Sequence, residues 1–413
     1  MLPTVPVQPK RVADYAEAAG AEAVERLVEA ARPLRGLRLL NVNSTAFGGG
    51  VAELLHTQVP LMNDLGIDTS WVVIEGTDAF FAVTKAVHNA LQGAEARLDD
   101  EAIATYWERI RANAAELPRG FDAVLVHDPQ PAALLEVLED EGGREGTWLW
   151  RCHIDLSAPY RPVWDLFEPI VNRFDAAIFT AREYVQPGIA GPEIAFIPPS
   201  IDPLSPKNVP MAERAWRDVL ASYGIDHERP LMAQISRFDP WKDPTGVIDA
   251  WRLVRREVEG VQLVMVGSLA HDDPEGMRYL NLTAEHAGDE PDVHLLTDLD
   301  GVGDVAVNAF QRAADVVVQK SLREGFGLVV AEGMWKGKPV VGGDVGGIRL
   351  QIRDGVDGYL VDGVPACAAR IVELLADPDR RRAMGQAGRE RVRERFLSLR
   401  EIEETLVLIE KLR

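Results

Sequence analysis

Cysteine is nearly missing: Cys152 and Cys367 are the only two in 413 residues, and neither sits in a Cys-x-x-Cys or Cys/His ligand spacing. A disulfide framework and a structural zinc site are therefore not expected. Long hydrophobic runs are missing too. No stretch reaches the ~20 apolar residues that span a bilayer, and the proline-rich segment from Met1 to Arg11 lacks the apolar core of a secretory signal. The cytoplasm is the expected location. Positive charge is scarce, with 44 Lys and Arg against 65 Asp and Glu and a formal net charge of -21. General affinity for nucleic acid or an anionic membrane needs clustered cations and is not expected. In a chain this acidic, the cations that do stand at strand ends become informative.

What is present is the composition of a globular protein, 46% hydrophobic and 26% charged. The length exceeds one ordinary core and fits two domains of roughly 200 residues. Strand-like and helix-like segments alternate, which predicts doubly wound α/β architecture. A leading helix is predicted over residues 11–31. Strands follow at 37–43, 69–74, 121–126, 148–152, 176–179 and 194–197. Residues 198–206 hold four prolines (Pro198, Pro199, Pro203 and Pro206), which excludes helix and marks a linker. The domains are accordingly read as 1–199 and 200–396. Beyond the linker the pattern restarts, with strands at 231–235, 261–266, 293–296, 314–318, 339–341 and 358–361.

The pivotal stretch is Gln319-Lys320-Ser321-Leu322-Arg323-Glu324-Gly325-Phe326-Gly327-Leu328-Val329-Val330-Ala331-Glu332. A buried strand feeds a loop and then a helix whose first N–H groups lack internal partners, a natural seat for a phosphate. Glu324 precedes that helix and Glu332 lies about one turn inside it. Arg237 and Lys242 follow the first strand of the second domain. Fixed cations there can stabilise charge left on a departing phosphate. In the first domain, Gly48-Gly49-Gly50 joins a strand to a helix. It either admits a ligand to the backbone or makes a tight turn, and it is neither a dinucleotide fingerprint nor a Walker A sequence. Asp128 and Gln130 stand in His127-Asp128-Pro129-Gln130-Pro131 at a strand end, as a ligand-facing edge or as a polar turn capped by two prolines. His153 ends the strand after Trp150-Arg151-Cys152. Asp298 and Asp300 lie near Gly301.

Glu-x7-Glu after a strand, with Gly-Phe-Gly inside it, resembles the signature of family 4 of the retaining glycosyltransferases. Asn308-Ala309-Phe310-Gln311-Arg312, the 318–328 segment and Trp150-Arg151-Cys152-His153-Ile154-Asp155 are similar to the glucosyl-transferring trehalose synthases within it. The resemblance runs from about residue 36 to 396. It implies the GT-B architecture, two Rossmann-like domains with a cleft between them, and a last helix (397–413) that crosses back onto the first domain. It implies donor and nucleotide binding by Gly48, Gly49, Gly50, Arg237, Lys242, Asp298, Gly325, Phe326, Gly327, Leu328, Val329 and Glu332, with Glu324 on the donor sugar and Glu332 on the ribose. His153 would lie by the sugar's 6-hydroxyl, and Asp128 and Gln130 would hold the acceptor.

The implied reaction is reversible transfer of glucose from NDP-glucose to glucose, giving α,α-trehalose with retention. No carboxylate is placed as a covalent nucleophile, which suits a front-face route in which the leaving phosphate takes the acceptor proton. A trehalose phosphorylase using inorganic phosphate is the alternative on the same scaffold, and a silent nucleotide-sugar-binding protein is a third. No Asp-x-Asp stands at a strand end of the first domain, so no obligatory metal is expected, although Mg²⁺ assisting the nucleotide is compatible with the pattern. A homodimer is the expected assembly.

Overall fold

The computed structural model describes residues 1–267 and 274–413. It divides into two compact units, one of Met1–Ser200 with Ser398–Arg413, the other of Ile201–Leu397. No helix among the described residues is long and apolar enough to cross a membrane.

The first unit is built on six parallel strands: β1 (Arg38–Asn43), β2 (Asp68–Val73), β3 (Ala123–His127), β4 (Thr147–Cys152), β5 (Ala176–Phe179) and β6 (Glu193–Phe196), in the order β2-β1-β3-β4-β5-β6. The central strands read as near-continuous apolar runs because helices cover both faces, the rule for parallel sheets. β3 is buried at every position. The order reverses between β1 and β3, where the chain winds first one way and then the other. Loops leaving these two strands diverge and open a crevice at their carboxyl ends. The predicted leading helix is interrupted: a 3-10 turn at Val12–Tyr15 and one turn at Ala16–Ala19 precede a helix at Ala21–Ala31. Gly20 separates them at φ 94°, a conformation that only glycine adopts without strain.

The second unit repeats the plan with β7 (Leu231–Ile235), β8 (Gln262–Gly267), β9 (Val293–Thr297), β10 (Val316–Gln319), β11 (Val340–Gly343) and β12 (Tyr359–Val361), ordered β12-β11-β10-β7-β8-β9. Its core packs Val316 and Val318 with Trp251, Met265, Ile371 and Leu374, all buried. Here the order reverses between β7 and β10. Two six-stranded parallel sheets of this kind match the GT-B architecture expected from the sequence.

The final helix, Ser398–Leu412, belongs to the first unit. Glu401, fully buried, accepts from Arg151 Nη2 at 2.5 Å and also from the Ser200 hydroxyl. Arg400 donates to the Pro198 carbonyl at 2.6 Å. A buried ion pair is best held when its other polar sites are filled, which is only partly so here, since Arg151 Nη1 has no partner. Arg151 Nη2 also donates to Ile197 O at 3.1 Å.

Candidate functional site

In the second unit the polar residues gather at the β7/β10 switch point. β7 leads through Asp239, whose carboxylate caps Trp241 N at 2.8 Å, into a 3-10 turn at Pro240–Lys242. Asp243 then adopts φ 49° and caps the next helix (Pro244–Val254) through Gly246 N at 3.1 Å. A Cβ at position 246 would stand 2.3 Å from the Asp243 carboxylate, so the cap requires glycine. The Lys242 carbonyl accepts from Gln234 Nε2 at 2.9 Å, which fixes the backbone that carries the lysine.

Lys242 Nζ lies 2.8 and 2.6 Å from the two oxygens of Glu324. The structure thus joins two residues that are 82 apart in sequence. Glu324 also accepts from Ser321 Oγ at 3.0 Å, with Gln319 Nε2 at 3.4 Å. The two loops are tied further by Leu322 N donating to Trp241 O at 2.7 Å, by a Lys320–Asp243 ion pair, and by the Arg323 guanidinium over the Trp241 ring. Arg237 stands on the same loop, 3.8 Å from the Asp239 carboxylate and 38% exposed in its side chain.

Gly327 caps the helix Leu328–Trp335 at φ 83°. The carbonyls of Phe326 and Gly327 are taken by Gln351 Nε2 at 2.6 and 3.2 Å. Gly347 N donates to Glu324 O, and a Cβ on Gly347 would stand 2.3 Å from Phe326 Cα, so the short helix Gly346–Gln351 after β11 braces the signature loop. The start of the helix is left as an array of N–H donors with the positive end of its dipole. Glu332, inside that helix and 1% exposed, accepts from Gln311 Nε2 at 3.0 Å and has Lys207 Nζ 3.9 Å away. Asp298 begins an exposed 3-10 turn after β9. Its neighbour Asp300 is committed to that turn, accepting from Thr297 N and Oγ1.

In the first unit the corresponding edge is built mainly of hydrogen-bonded uncharged groups, with the buried Arg151–Glu401 pair at the end of β4. After β1, Gly48 has φ 80°, Gly49 is extended with open space where a Cβ would sit, and Gly50 begins the helix Gly50–Asp64. After β3, Asp128 is held at φ 65°; its N donates to Arg151 O and its carbonyl accepts from Trp150 Nε1. Its carboxyl accepts from His153 N at 2.8 Å. Burial raises that carboxyl to about pKa 7, against the opposing pull of the His153 N–H and Arg151. His153 Nε2 is 3.0 Å from His127 Nδ1, and His127 Nε2 is 3.1 Å from Asn41 Oδ1.

Buried polar atoms without a partner are uncommon in folded proteins. Among those that have none are Gln130 Oε1 in the first unit and Gln234 Oε1, Gln319 Oε1 and Arg323 Nη1 in the second, all near the switch points, but also atoms elsewhere, such as Gln58 Nε2 and Ser398 Oγ. Sequence reasoning missed His127, Arg151, Gln319 and Ser321. For His127 the signal was present, since it directly precedes Asp128, but the strand was ended at Val126, one residue early.

Two doubly wound sheets, one of them with cations, carboxylates and a helix start at its switch point, are the equipment of a glycosyltransferase. The comparisons narrow this. Residues 41–186 match the model of the trehalose synthase N-terminal domain, and residues 217–391 match glycosyl transferases group 1. The chain is 50% identical to a trehalose synthase of Rubrobacter xylanophilus over 100% of this chain and 99% of the relative. It is 46% identical to one of Pyrococcus horikoshii over 98% and 97%. A trehalose phosphorylase of Pleurotus pulmonarius is more distant, at 27% identity over 92% of this chain and 58% of that protein. Among solved structures, a UDP-forming α,α-trehalose-phosphate synthase from Burkholderia xenovorans superposes with TM-score 0.71 at 16% identity, covering 91% of this chain and 99% of that one. The chain belongs to the trehalose synthase family.

Proposed function

We propose that the protein transfers glucose reversibly from a nucleoside diphosphate glucose to free glucose, forming α,α-trehalose with retention, as a retaining glycosyltransferase of family 4. The relatives named trehalose synthase, similar over the whole chain, support the reaction. The observation that carries the chemistry is the Lys242–Glu324 pair at the β7/β10 switch point, 2.6 Å at its shorter distance. A cation for the diphosphate stands directly beside a carboxylate for the sugar.

In this reading Lys242 and Arg237 neutralise the donor's phosphates and the charge that grows on them as the glycosidic bond breaks. The N–H groups from Gly325 to Val329 receive the same phosphates. Glu324 accepts hydroxyls of the transferred glucose, Glu332 the ribose hydroxyls, and Asp298 faces the base. Gly48, Gly49 and Gly50 lie close to the donor through their backbone. His153 holds the 6-hydroxyl, and Asp128 and Gln130 take the acceptor glucose. The leaving phosphate receives the acceptor's proton. The 1–199 domain binds acceptor and the 200–396 domain nucleotide sugar. The protein works in the cytoplasm, as a homodimer, with Mg²⁺ at most a stimulant.

Incubation of pure protein with trehalose and UDP, ADP or GDP, and separately with trehalose and inorganic phosphate, tests the reading. NDP-glucose formation supports it. Glucose 1-phosphate formed with phosphate alone would make the protein a phosphorylase, and no product in any mixture would make it a binding protein.

A further inference from the structure

The polar chain at the edge of the first sheet has a direction that chemistry can assign. Asn41 (β1) and His127 (the end of β3) are both 2% exposed and stand on neighbouring strands. A carboxamide oxygen only accepts, so the contact between His127 Nε2 and Asn41 Oδ1 at 3.1 Å puts a proton on Nε2. Burial, seconded by the nearby Arg151 cation, lowers the His127 pKa to about 3. A neutral imidazole has one ring proton, so His127 Nδ1 is a bare lone pair. His153 Nε2 faces it at 3.0 Å and must be the donor. His153 is likewise held neutral, by burial first and then by Arg151 and His127. Its own remaining nitrogen, Nδ1, is therefore an acceptor, and among the described residues no hydrogen bond occupies it. The two rings lie nearly parallel, 17° apart with centroids 5.3 Å from each other. His153 N is also anchored on Asp128 at 2.8 Å.

We propose that His127, through Asn41, is a positioning residue that locks His153 in the Nε2–H tautomer, so that His153 meets its sugar hydroxyl only as a hydrogen-bond acceptor. The assignment of that hydroxyl to the donor's 6-position rests on the function proposed above, whereas the tautomer does not. A site that accepts from a hydroxyl discriminates against a group that cannot donate, since its lone pair is then left facing an electronegative atom. Replacing the 6-hydroxyl of the donor glucose by fluorine removes the donor at nearly constant shape. Local sequence carries no sign of this coupling, because Asn41 lies within β1, His127 ends β3 and His153 follows β4.

The decisive experiment is two-bond ¹H–¹⁵N correlation on the full-length protein labelled at its eight histidines, with His127→Asn and His153→Gln spectra supplying assignments. The expected result is a proton on Nε2 and a bare Nδ1 for both His127 and His153 at pH 7. A proton on Nδ1 of either ring would overturn the proposal, whatever the substrate. In turnover, His127→Leu removes the acceptor at similar volume and is expected to lower kcat on the order of 10²-fold. His127→Asn, whose Oδ1 can stand where Nδ1 stood, should recover most of that loss. The wild-type preference for hydroxyl over fluorine at the 6-position should shrink about tenfold in His127→Leu, the worth of one hydrogen bond, because His153 is then free to change tautomer. Equal kcat for the Leu and Asn variants, with an unchanged preference, would overturn the positioning role. If His127→Leu does not fold, the spectra of the wild type still decide. The expected tautomers together with no fluorine preference in the wild type would leave the lock standing and remove the 6-hydroxyl assignment.

Discussion

At the switch point of the second unit two ion pairs stand together, Lys242 with Glu324 and Lys320 with Asp243. At that of the first unit the titratable side chains His127, His153 and Asp128 are neutral or close to it: both histidines are depressed by burial, and the Asp128 carboxyl is raised to about 7. Both edges arise from the same sheet plan, so topology does not set the difference. The residues do. A diphosphate brings charge that must be met by fixed cations, and a pair of opposite charges keeps such cations ready without leaving them buried alone. A free sugar brings only hydroxyls, for which neutral acceptors and donors of fixed orientation are better suited than charge. In a chain of net charge -21, cations concentrated at one edge would steer an anionic substrate there.

The comparison can be broken most sharply on the charged side. Glu324→Ala is expected to lower the transfer rate by about 10²–10³-fold or more, since in the proposed function this carboxylate is the group that meets the reacting sugar. Nucleoside diphosphate binding by calorimetry should persist, and wild-type turnover in this variant would remove the role given to the carboxylate. On the neutral side the largest effect should be on stability. Glu401→Ala leaves the buried Arg151 without its partner, and the loss on urea unfolding should be about 3–5 kcal/mol. A loss below about 1 kcal/mol would mean that the final helix does not anchor this edge.

A smaller effect comes from pH. Because the folded state raises the pKa of Asp128 from 3.8 to about 7, it holds a proton that the unfolded chain has already lost in between. The contribution of Asp128 to stability is thus fully present below about pH 4 and is lost as pH rises through about 7, at up to ~1.4 kcal/mol per pH unit. The urea midpoint of the wild type should fall relative to Asp128→Asn between pH 4.5 and 7, and the gap should level off above. The paired histidines act with the opposite sign in an overlapping window, since their folded pKa values are lowered, but they are common to both proteins. Parallel curves for the two would show that Asp128 is ionised throughout.

Much of this arrangement was legible in the sequence. The parallel-sheet alternation, the strand before Glu324 and the helix after it follow from apolar periodicity and from polar residues at strand ends. Glycine was the main source of error. Gly342 and Gly343 read as loop, yet they end β11: a Cβ on Gly343 would stand 2.2 Å from Ser321 O, so these glycines serve close strand–loop packing. The short helix Gly346–Gln351 was hidden by the same run. Gly20 did the reverse, dividing a periodic helix that apolar spacing treated as continuous. Helices Leu134–Asp140 and Glu213–Ser222 were not read at all, although Ala215, Trp216, Val219 and Leu220 stand at helical spacing in the second. At the site, residue types at strand ends pointed to Lys242, Glu324, Asp128 and His153. Pairings such as Lys242 with Glu324, or His127 with His153, depend on which strands become neighbours, and that information is not local.

The central claim, that the β7/β10 edge receives the donor's diphosphate, is tested most directly by titrating a nucleoside diphosphate calorimetrically into the wild type and into Lys242→Ala. Loss of a charge-assisted bond predicts about 10–100-fold weaker binding in the variant, reinforced because Glu324 is then left as an unopposed negative charge beside the phosphates. An unchanged Kd would contradict the account.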